Sequence, residues 1–284
     1  MSEVRSFDRL SDAAAADVLA LATAAEQADG VYPLSEDTVF LVRRGGGAQL
    51  LAYSDGTLVG YAGGGELVVH PAHRRRGHGT ALLAASGAGP LAFWAHGDLP
   101  AAAALAEKTG FKRARVLWQM RRSLADFSEE SVLPEGVTLR HFRPGHDEQA
   151  WLEVNSRAFA HHPEQGRWTL DDLRLREAEP WFDPAGFLLA VDISDKLLGF
   201  HWTKVHPPAG DEPALGEIYV LGVDPGGHRR GLGVALSVAG LRHLADAGLT
   251  QALLYVDESN TAAVGLYRKL GFEIHQADVN YQRG

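Results

Sequence analysis

Two stretches of the chain read alike at a spacing of a whole domain. LVVHPAHRRRGHGTALL occupies 67–83 and LGVDPGGHRRGLGVAL occupies 221–236. Pro71 and Pro225, Arg75 and Arg229, Arg76 and Arg230, Gly77 and Gly231, and Gly79 and Gly233 all pair at one offset of 154 residues. That period is several times the length of a solenoid unit, so the chain is read as two copies of one domain, not as a stack of short repeats. Lys108-Thr109-Gly110-Phe111 answers to Lys269-Leu270-Gly271-Phe272 at an offset of 161, so the later copy has gained seven residues between the two landmarks. Duplication followed by drift accounts for both offsets.

The length of 284 residues suits two such units. Apolar residues at 45% and charged residues at 22% are globular proportions. A balance of 27 Lys plus Arg against 36 Asp plus Glu leaves no overall attraction to nucleic acid or to an anionic membrane. An anionic ligand must therefore be held by local groups. Zero cysteines exclude a disulfide framework, a thiolate metal site and a cysteine nucleophile. The charged start of the chain (Glu3, Arg5, Asp8, Arg9) has no apolar leader, and no later run is long enough to span a bilayer, so a cytoplasmic protein is expected.

Between the copies, SLADFSEESVLPEG (123–136) has linker composition, giving domains at 1–122 and 137–284. Each half reads as α+β. In the first, Ser11 caps an Ala-rich helix ending at Gly30, and apolar runs at Phe40–Val42, Leu50–Tyr53, Leu58–Tyr61 and Leu67–Val69 imply a meander. In the second, helices are expected near Glu148–Phe159, Leu170–Glu177, His228–Ala247 and Thr261–Leu270. Strands are expected at Phe187–Asp192, Leu197–Lys204, Glu217–Val223, Ala252–Val256 and Phe272–Tyr281.

The order strand, Val223-Asp224-Pro225, turn, Arg229-Arg230-Gly231-Leu232-Gly233, helix sets free backbone N–H groups and two cations at the positive end of a helix dipole. That is the make-up of a pyrophosphate cradle. The alternative, a glycine turn beside a solvated arginine pair, has to occur twice. A dinucleotide loop would open a βαβ unit, whereas this one follows a meander, and no GxxxxGK[ST] sequence is present. Arg74 to Arg76 is too short and too free of aromatics to be a nucleic-acid patch. The paired histidines His161-His162 and His201 with His206 lack metal-ligand spacing, so no metal is expected.

The V-x-P-x-x-x-R-R-G-x-G block, with Asn260, Tyr267 and Gly271-Phe272 downstream, resembles the acetyl-CoA loop and closing segment of the GCN5-related N-acetyltransferases. The segments DGVYPLSED (29–37), FWAHG (93–97), HPEQGRWT (162–169), PWFDPAG (180–186), GFHWTKVHP (199–207) and GEIYVLGVDP (216–225) are similar to the mycothiol synthase family within that superfamily. The resemblance implies two tandem acyl-CoA N-acyltransferase domains, each a mixed, largely antiparallel sheet flanked by helices. It implies acetyl-CoA as co-substrate and direct acetylation of the cysteinyl amine of desacetylmycothiol, a small thiol pseudo-disaccharide. A monomer with no nucleic-acid or membrane partner is expected.

At the two offsets Glu217 answers to Gly63, Tyr267 to Ala106 and Asn260 to Leu99, so the first copy lacks the acid and base. The resemblance makes Glu217 the general base and Tyr267 the general acid, with substrate contacts at Glu36, Glu179, Lys204, Glu217 and Tyr255. Taken singly, each of these also reads as a surface charge or a core aromatic. Backbone N–H groups around Leu221, Gly222 and Val223 are expected to polarise the thioester carbonyl, with Gly222 permitting a bulge that leaves donors unpaired. The coenzyme contacts carry over to Leu221, Gly222, Val223, His228, Arg229, Arg230, Gly231, Leu232, Gly233 and Val234, then to Asn260, Thr261, Ala262, Ala263, Val264 and Gly265. In the first half they fall on Leu67, Val68, Val69, Arg75, Arg76, Gly77, His78, Gly79 and Thr80, where the coenzyme could be a structural ligand. Two rivals stay open: acetylation of a different amine (a protein N-terminus or an aminoglycoside), and a non-catalytic acetyl-CoA sensor.

Overall fold

The computed structural model describes residues 3–161, 165–208, 212–227 and 231–284. The chain forms two compact units, and the division differs from the boundaries expected from composition. The first unit holds Met1–Trp118, Asp257–Asn260 and His275–Gly284, and the second holds Gln119–Val256 and Thr261–Ile274. The chain thus passes between units inside a strand, and its C-terminal segment belongs with the first unit. The segment 123–136 is not a free linker. Leu124 and Phe127 are buried, the Ser131 hydroxyl donates to Ala235 O at 2.8 Å, and Arg242 donates to Phe127 O and Glu129 O at 3.2 and 2.7 Å. Acidic neighbours hide the two apolar anchors from a composition reading.

In the first unit the strand order is β1 (Glu3–Phe7), β2 (Gln49–Ser54), β3 (Thr57–Gly63), β4 (Glu66–Val69), β5 (Leu91–Ala95), β12 (Glu273–Arg283) and β6 (Lys112–Ser123), the last two contributing their parts within this unit. β1 to β4 are antiparallel; β4 meets β5 in parallel at Glu66↔Trp94; β5 pairs antiparallel with β12 from Ala95↔Val279 to Leu91↔Arg283. Helix α1 (Asp12–Asp29) is capped by Ser11, whose side chain accepts from Ala14 N, and is stopped by Gly30 in the left-handed region, as expected. Its face of Val18, Leu21, Ala22 and Ala25 packs on Leu51, Tyr61 and Val68. The opposite sheet face packs Leu50, Ala52, Val59 and Ala62 with Leu82 of α3 (His78–Ala85). Helix α4 (Pro100–Lys108) and Phe111 close on Leu83, Val279 and Tyr281, so the C-terminal strand supplies part of this core. Phe40–Val42 lies in a helix, α2 (Glu36–Arg44), and not in a strand: Ser35 caps it, acids fill its first turn and arginines its last, which complements the helix dipole and overrides three apolar residues in a row.

In the second unit the order is β6, β11 (Gln251–Asp257), β10 (Leu215–Val223), β9 (Leu197–His206), β8 (Phe187–Asp192) and β7 (Val137–His141), again within the unit's own residues. Helices α5 (Glu148–Ala158) and α6 (Leu170–Glu177) cover one face through Trp151, Val154 and Leu173, packed on Phe187, Phe200 and Trp202. Helix α7 (Leu232–Asp246) covers the other through Leu232 and Leu236, packed with Ala190 and Leu198. Helix α8 (Thr261–Lys269) precedes β12. No helix among the described residues is long and apolar enough to cross a membrane.

Candidate active site

Strand β10 is the axis of the site. It pairs with β9 along its full length, but its parallel register with β11 covers only Gly216↔Ala252, Glu217↔Leu253 and Ile218↔Leu254. Beyond Ile218 the two parallel strands part, and alternate backbone groups of Tyr219–Val223 face away from β9. A bulge does occur in β10, but between Ile218 and Val220, so Tyr219 is the extra residue; Leu221, Gly222 and Val223 pair regularly with His201, Phe200 and Gly199. This corrects the expected bulge at Gly222. A Cβ there would sit 2.8 Å from Phe200 and 3.2 Å from Ala158 Cβ, so the glycine makes room for core packing. The parting of the strands, and not a bulge at Gly222, is what leaves backbone groups of this stretch beyond the β11 register.

Glu217 is buried, with 6% of its surface exposed, and its Oε2 lies 2.6 Å from His206 Nε2. Directly opposite it in the register is Lys204, so the two expected substrate contacts share one sheet face. The Lys204 ammonium sits 4.4 Å from the Trp181 ring centre and 5.0 Å from that of Tyr219. Tyr219 in turn accepts from Arg176 Nε at 2.7 Å, and the Arg176 guanidinium lies 3.8 Å over Trp168. Glu179 stands in the turn after α6, where its N–H donates to Arg176 O and its carbonyl accepts from Phe182 N, which carries the chain to Trp181. On β11, Tyr255 is exposed, and its hydroxyl accepts from Gln119 Nε2 at 2.8 Å; Gln119 Oε1 accepts from Arg121 Nε, also at 2.8 Å, and Arg121 pairs with Glu212. Tyr267 on α8 is buried edge-on to Phe272, and burial pushes its hydroxyl up to about 12. His206, Tyr219, Trp181, Arg176 and Gln119 had no motif to mark them. The one signal was that His206, Trp181 and Tyr219 fall inside segments that carried the resemblance.

After β10, Asp224 fixes the turn: its carboxylate accepts from Arg157 at 2.7 and 3.2 Å and from Gly226 N at 2.9 Å, and its own N–H donates to Leu198 O. The Arg157 hydrogen bond, joined by the Gly226 N–H and the nearby cations, outweighs burial and holds its carboxyl below the usual range. His228, Arg229 and Arg230 lie outside the described residues. Gly231 caps α7 with φ +86°, and an added Cβ there would meet no atom of the described residues within 4 Å. Leu232 is buried, while Val234 is exposed beside half-buried Gly233. Among the described residues nothing lies against Gly231 at the helix start, whose first N–H groups have no intrahelical acceptor. These residues fit a pyrophosphate. Thr261, Ala262, Ala263, Val264 and Gly265 form the start of α8 in the second unit, whereas Asn260 falls in the first, its N–H donating to Asp257 O.

The first unit repeats the loop. Gly77 caps α3 at φ +89°, Arg75 is held at φ +63°, and Arg75 and Arg76 are exposed. Arg74 is a strut: it bonds Asp29 through two contacts of 2.6 Å and Val69 O at 3.1 Å. His78 is buried, with burial lowering its pKa; Thr80 is half-buried on α3. A Cβ on Gly79 would meet Leu105 at 3.0 Å, a contact without counterpart at Gly233. Leu67, Val68 and Val69 form β4. Gly63, the offset counterpart of Glu217, ends β3 at the hairpin turn. The carboxylate on the strand before this loop is Glu66, 1% exposed, whose oxygens accept from Ser35 N and meet His96 Nε2, each at 2.8 Å. The shorter first hairpin leaves the offset counterpart of Glu217 outside β4. Glu36 is the first residue of α2, next to the Ser35 cap. Among the described residues no group of three His, Cys, Asp or Glu is arranged to hold a metal ion.

The acetyltransferase (GNAT) family profile matches residues 149–272, and an acetyltransferase (GNAT) domain profile matches 36–113. The mycothiol acetyltransferase of Geodermatophilus obscurus is 57% identical, with 99% of this chain and 97% of that protein covered; that of Salinispora arenicola is 55% identical over the same shares. Among solved structures, a GCN5-related N-acetyltransferase from Sphaerobacter thermophilus superposes with a TM-score of 0.70 at 25% identity, covering 99% of this chain and 95% of that one. A tandem GNAT protein from the clavulanic acid biosynthesis pathway shares the fold, with a TM-score of 0.73 at 21% identity over 100% and 98% of the two chains. Near-full-length identity above one half, with an acetyltransferase domain in each half, places the chain in the mycothiol acetyltransferase family of GCN5-related N-acetyltransferases.

Proposed function

We propose that the second unit moves the acetyl group of acetyl-CoA to the cysteinyl amine of desacetylmycothiol. The observation that carries this reading is Glu217: a buried carboxylate on the strand that parts from β11 and precedes the Gly231 helix start. Acetyl-CoA brings the activated thioester, and the chain's own residues manage protons and orientation.

An α-amino group with a pKa of about 7.7–8.0 is mostly ammonium at neutral pH, and freeing it costs only about 1 kcal/mol, so a single carboxylate suffices as base. Glu217 takes one proton from the ammonium. The nitrogen then attacks the carbonyl carbon, the C–N bond forms, the C–S bond breaks, and the second proton that the nitrogen sheds on becoming an amide passes to the departing thiolate, which leaves as the coenzyme thiol. Backbone N–H groups of Leu221–Val223 stabilise the charge that develops on the carbonyl oxygen. Tyr267 stays protonated, because burial pushes its hydroxyl up to about 12. Full transfer from it to a thiolate of pKa about 8.5 runs uphill, so its part is to donate a hydrogen bond to the departing sulfur. Glu179, Lys204 and Tyr255 are proposed to hold the acceptor's hydroxyls and carbonyl, as acceptor and donor groups of the right kinds. The first unit's loop is proposed as a second coenzyme site.

Assaying desacetylmycothiol beside a peptide N-terminus and an aminoglycoside tests the substrate. Turnover of the first should exceed the others by at least about 10²-fold; equal or better turnover of a peptide overturns the assignment. Glu217→Gln should lower turnover about 10²-fold and Tyr267→Phe at least about tenfold, while Ala106→Ser, at the first unit's counterpart of Tyr267, should leave it as it is. Coenzyme binding without acetyl transfer to any of the three amines overturns the enzyme reading.

A further inference from the structure

We infer that His206 is a positioning residue for Glu217, fixing which carboxylate oxygen receives the amine's proton. The inference rests on the reading of Glu217 as the base. His206 ends β9 immediately before Pro207 and Pro208, which lack the N–H that would carry the ladder on. Its register partner is Leu215, and that of Glu217 is Lys204, so the histidine reaches Glu217 diagonally across the strand pair. The contact is 2.6 Å, from Nε2 to Oε2. A carboxylate only accepts, so the hydrogen in this contact is carried on Nε2. The bond occupies Oε2 and leaves Oε1 as the proton acceptor.

The need for such a partner follows from the surroundings. Glu217 is buried, with 8% of its side chain exposed, and a carboxylate without a hydrogen-bond donor there would be costly and free to rotate. His206 keeps 36% of its side chain exposed, so it meets the carboxylate from the solvent edge and closes only one side of it. The first unit offers the contrast. Glu66 also meets a histidine, but both of its oxygens are taken, one by His96 and one by Ser35 N. A carboxylate with both oxygens engaged is an anchor, while one held by a single oxygen can act as a base.

The test compares His206→Ala with His206→Gln, whose amide N–H has about the reach of Nε2. The readout is steady-state kinetics with acetyl-CoA and desacetylmycothiol. The alanine variant should lose about tenfold in kcat/KM for the acceptor, with the KM for acetyl-CoA unchanged, and the glutamine variant should recover most of that loss. Acceptor kcat/KM equal to the parent in the alanine variant overturns the inference. So does a glutamine variant as slow as alanine, or an equal loss in the KM for acetyl-CoA, which would mark a merely structural contact. Glu217→Gln is measured alongside. If it turns over like the parent, the base reading itself has failed; if it is slow while His206→Ala is fast, only the role of His206 has failed.

Discussion

His96 and Asp278 stand 182 positions apart in the chain, yet Nδ1 of the one lies 2.8 Å from Oδ2 of the other. The same imidazole meets Glu66 through its other nitrogen at 2.8 Å, and Gly97 N donates to Asp278 Oδ1 at 2.9 Å. A strand from the far end of the chain is thereby tied to β4 and β5 by a buried charged cluster. Asp278→Asn keeps the shape and removes the charge. It should cost about 1.5–3 kcal/mol, the range for hydrogen bonds to charged groups, read as a lower urea midpoint of the whole chain. An unchanged midpoint would mean that the cluster contributes nothing to stability.

The cluster also sets a pH dependence whose sign can be worked out. Burial alone would depress His96, but the hydrogen bonds to Asp278 and Glu66 outweigh it and push the imidazole up to about 10 from an ordinary 6.5. A raised folded value stabilises fully below the unfolded pKa, and that stabilisation is lost as pH rises from about 6.5 through about 10. Asp278 behaves oppositely. Burial would raise it, but its bond to His96 and the other polar contacts hold it below the usual range, so its contribution is present above 3.8 and is lost in acid. Denaturation midpoints of the parent should therefore fall between pH 7 and 10 more steeply than those of His96→Gln. Parallel curves would show that His96 does not carry the charge.

Much of this was legible because the signals were local. Ser11 and Gly30 mark both ends of α1 by cap chemistry, and Leu170–Glu177 and Phe187–Asp192 match α6 and β8 residue for residue. What escaped was set by distant partners. β6 reads KRARVLWQMRRS, too charged for a strand by composition, and its charges are absorbed by partners such as Asp98 for Arg113 and Asp257 for Arg115. The cluster at His96 was invisible because a buried histidine is recognisable only from the carboxylates that the fold brings to it. The offset that aligns Gly63 with Glu217 sets a residue at the end of a strand against one inside β10, since the first hairpin is shorter while the helix-start glycines keep their place.

Gly231 allows its two constraints to be separated. Its φ of +86° penalises any Cβ, yet an added Cβ would meet no atom of the described residues within 4 Å. Gly231→Ala should therefore cost only about 1–2 kcal/mol of stability, from backbone conformation. If the coenzyme's pyrophosphate approaches the backbone there, the methyl group lies in its path. The KM for acetyl-CoA should then rise about tenfold or more, while the KM for the acceptor stays within about twofold. A variant that loses stability and keeps its coenzyme KM would show that the glycine serves the turn alone.

Lys204 and Tyr219 divide binding from support. The ammonium of Lys204 lies over Trp181 and Tyr219 at 4.4 and 5.0 Å, and such contacts are worth about 0.5–2 kcal/mol. Tyr219 reaches this position as the extra residue of the β10 bulge, with its hydroxyl accepting from Arg176. Tyr219→Phe keeps the ring under the ammonium but leaves the Nε–H of Arg176, a residue only 3% exposed, without its tyrosine acceptor. That variant should lose about 1–3 kcal/mol of stability and hold its acceptor KM. Tyr219→Leu removes both functions and should also raise the acceptor KM several-fold, towards the value of Lys204→Met, with the KM for acetyl-CoA unmoved. If Lys204→Met raises the acceptor KM and Tyr219→Leu does not, the aromatic pair does not hold the ammonium in place, and Trp181 alone or the backbone of β9 must do so.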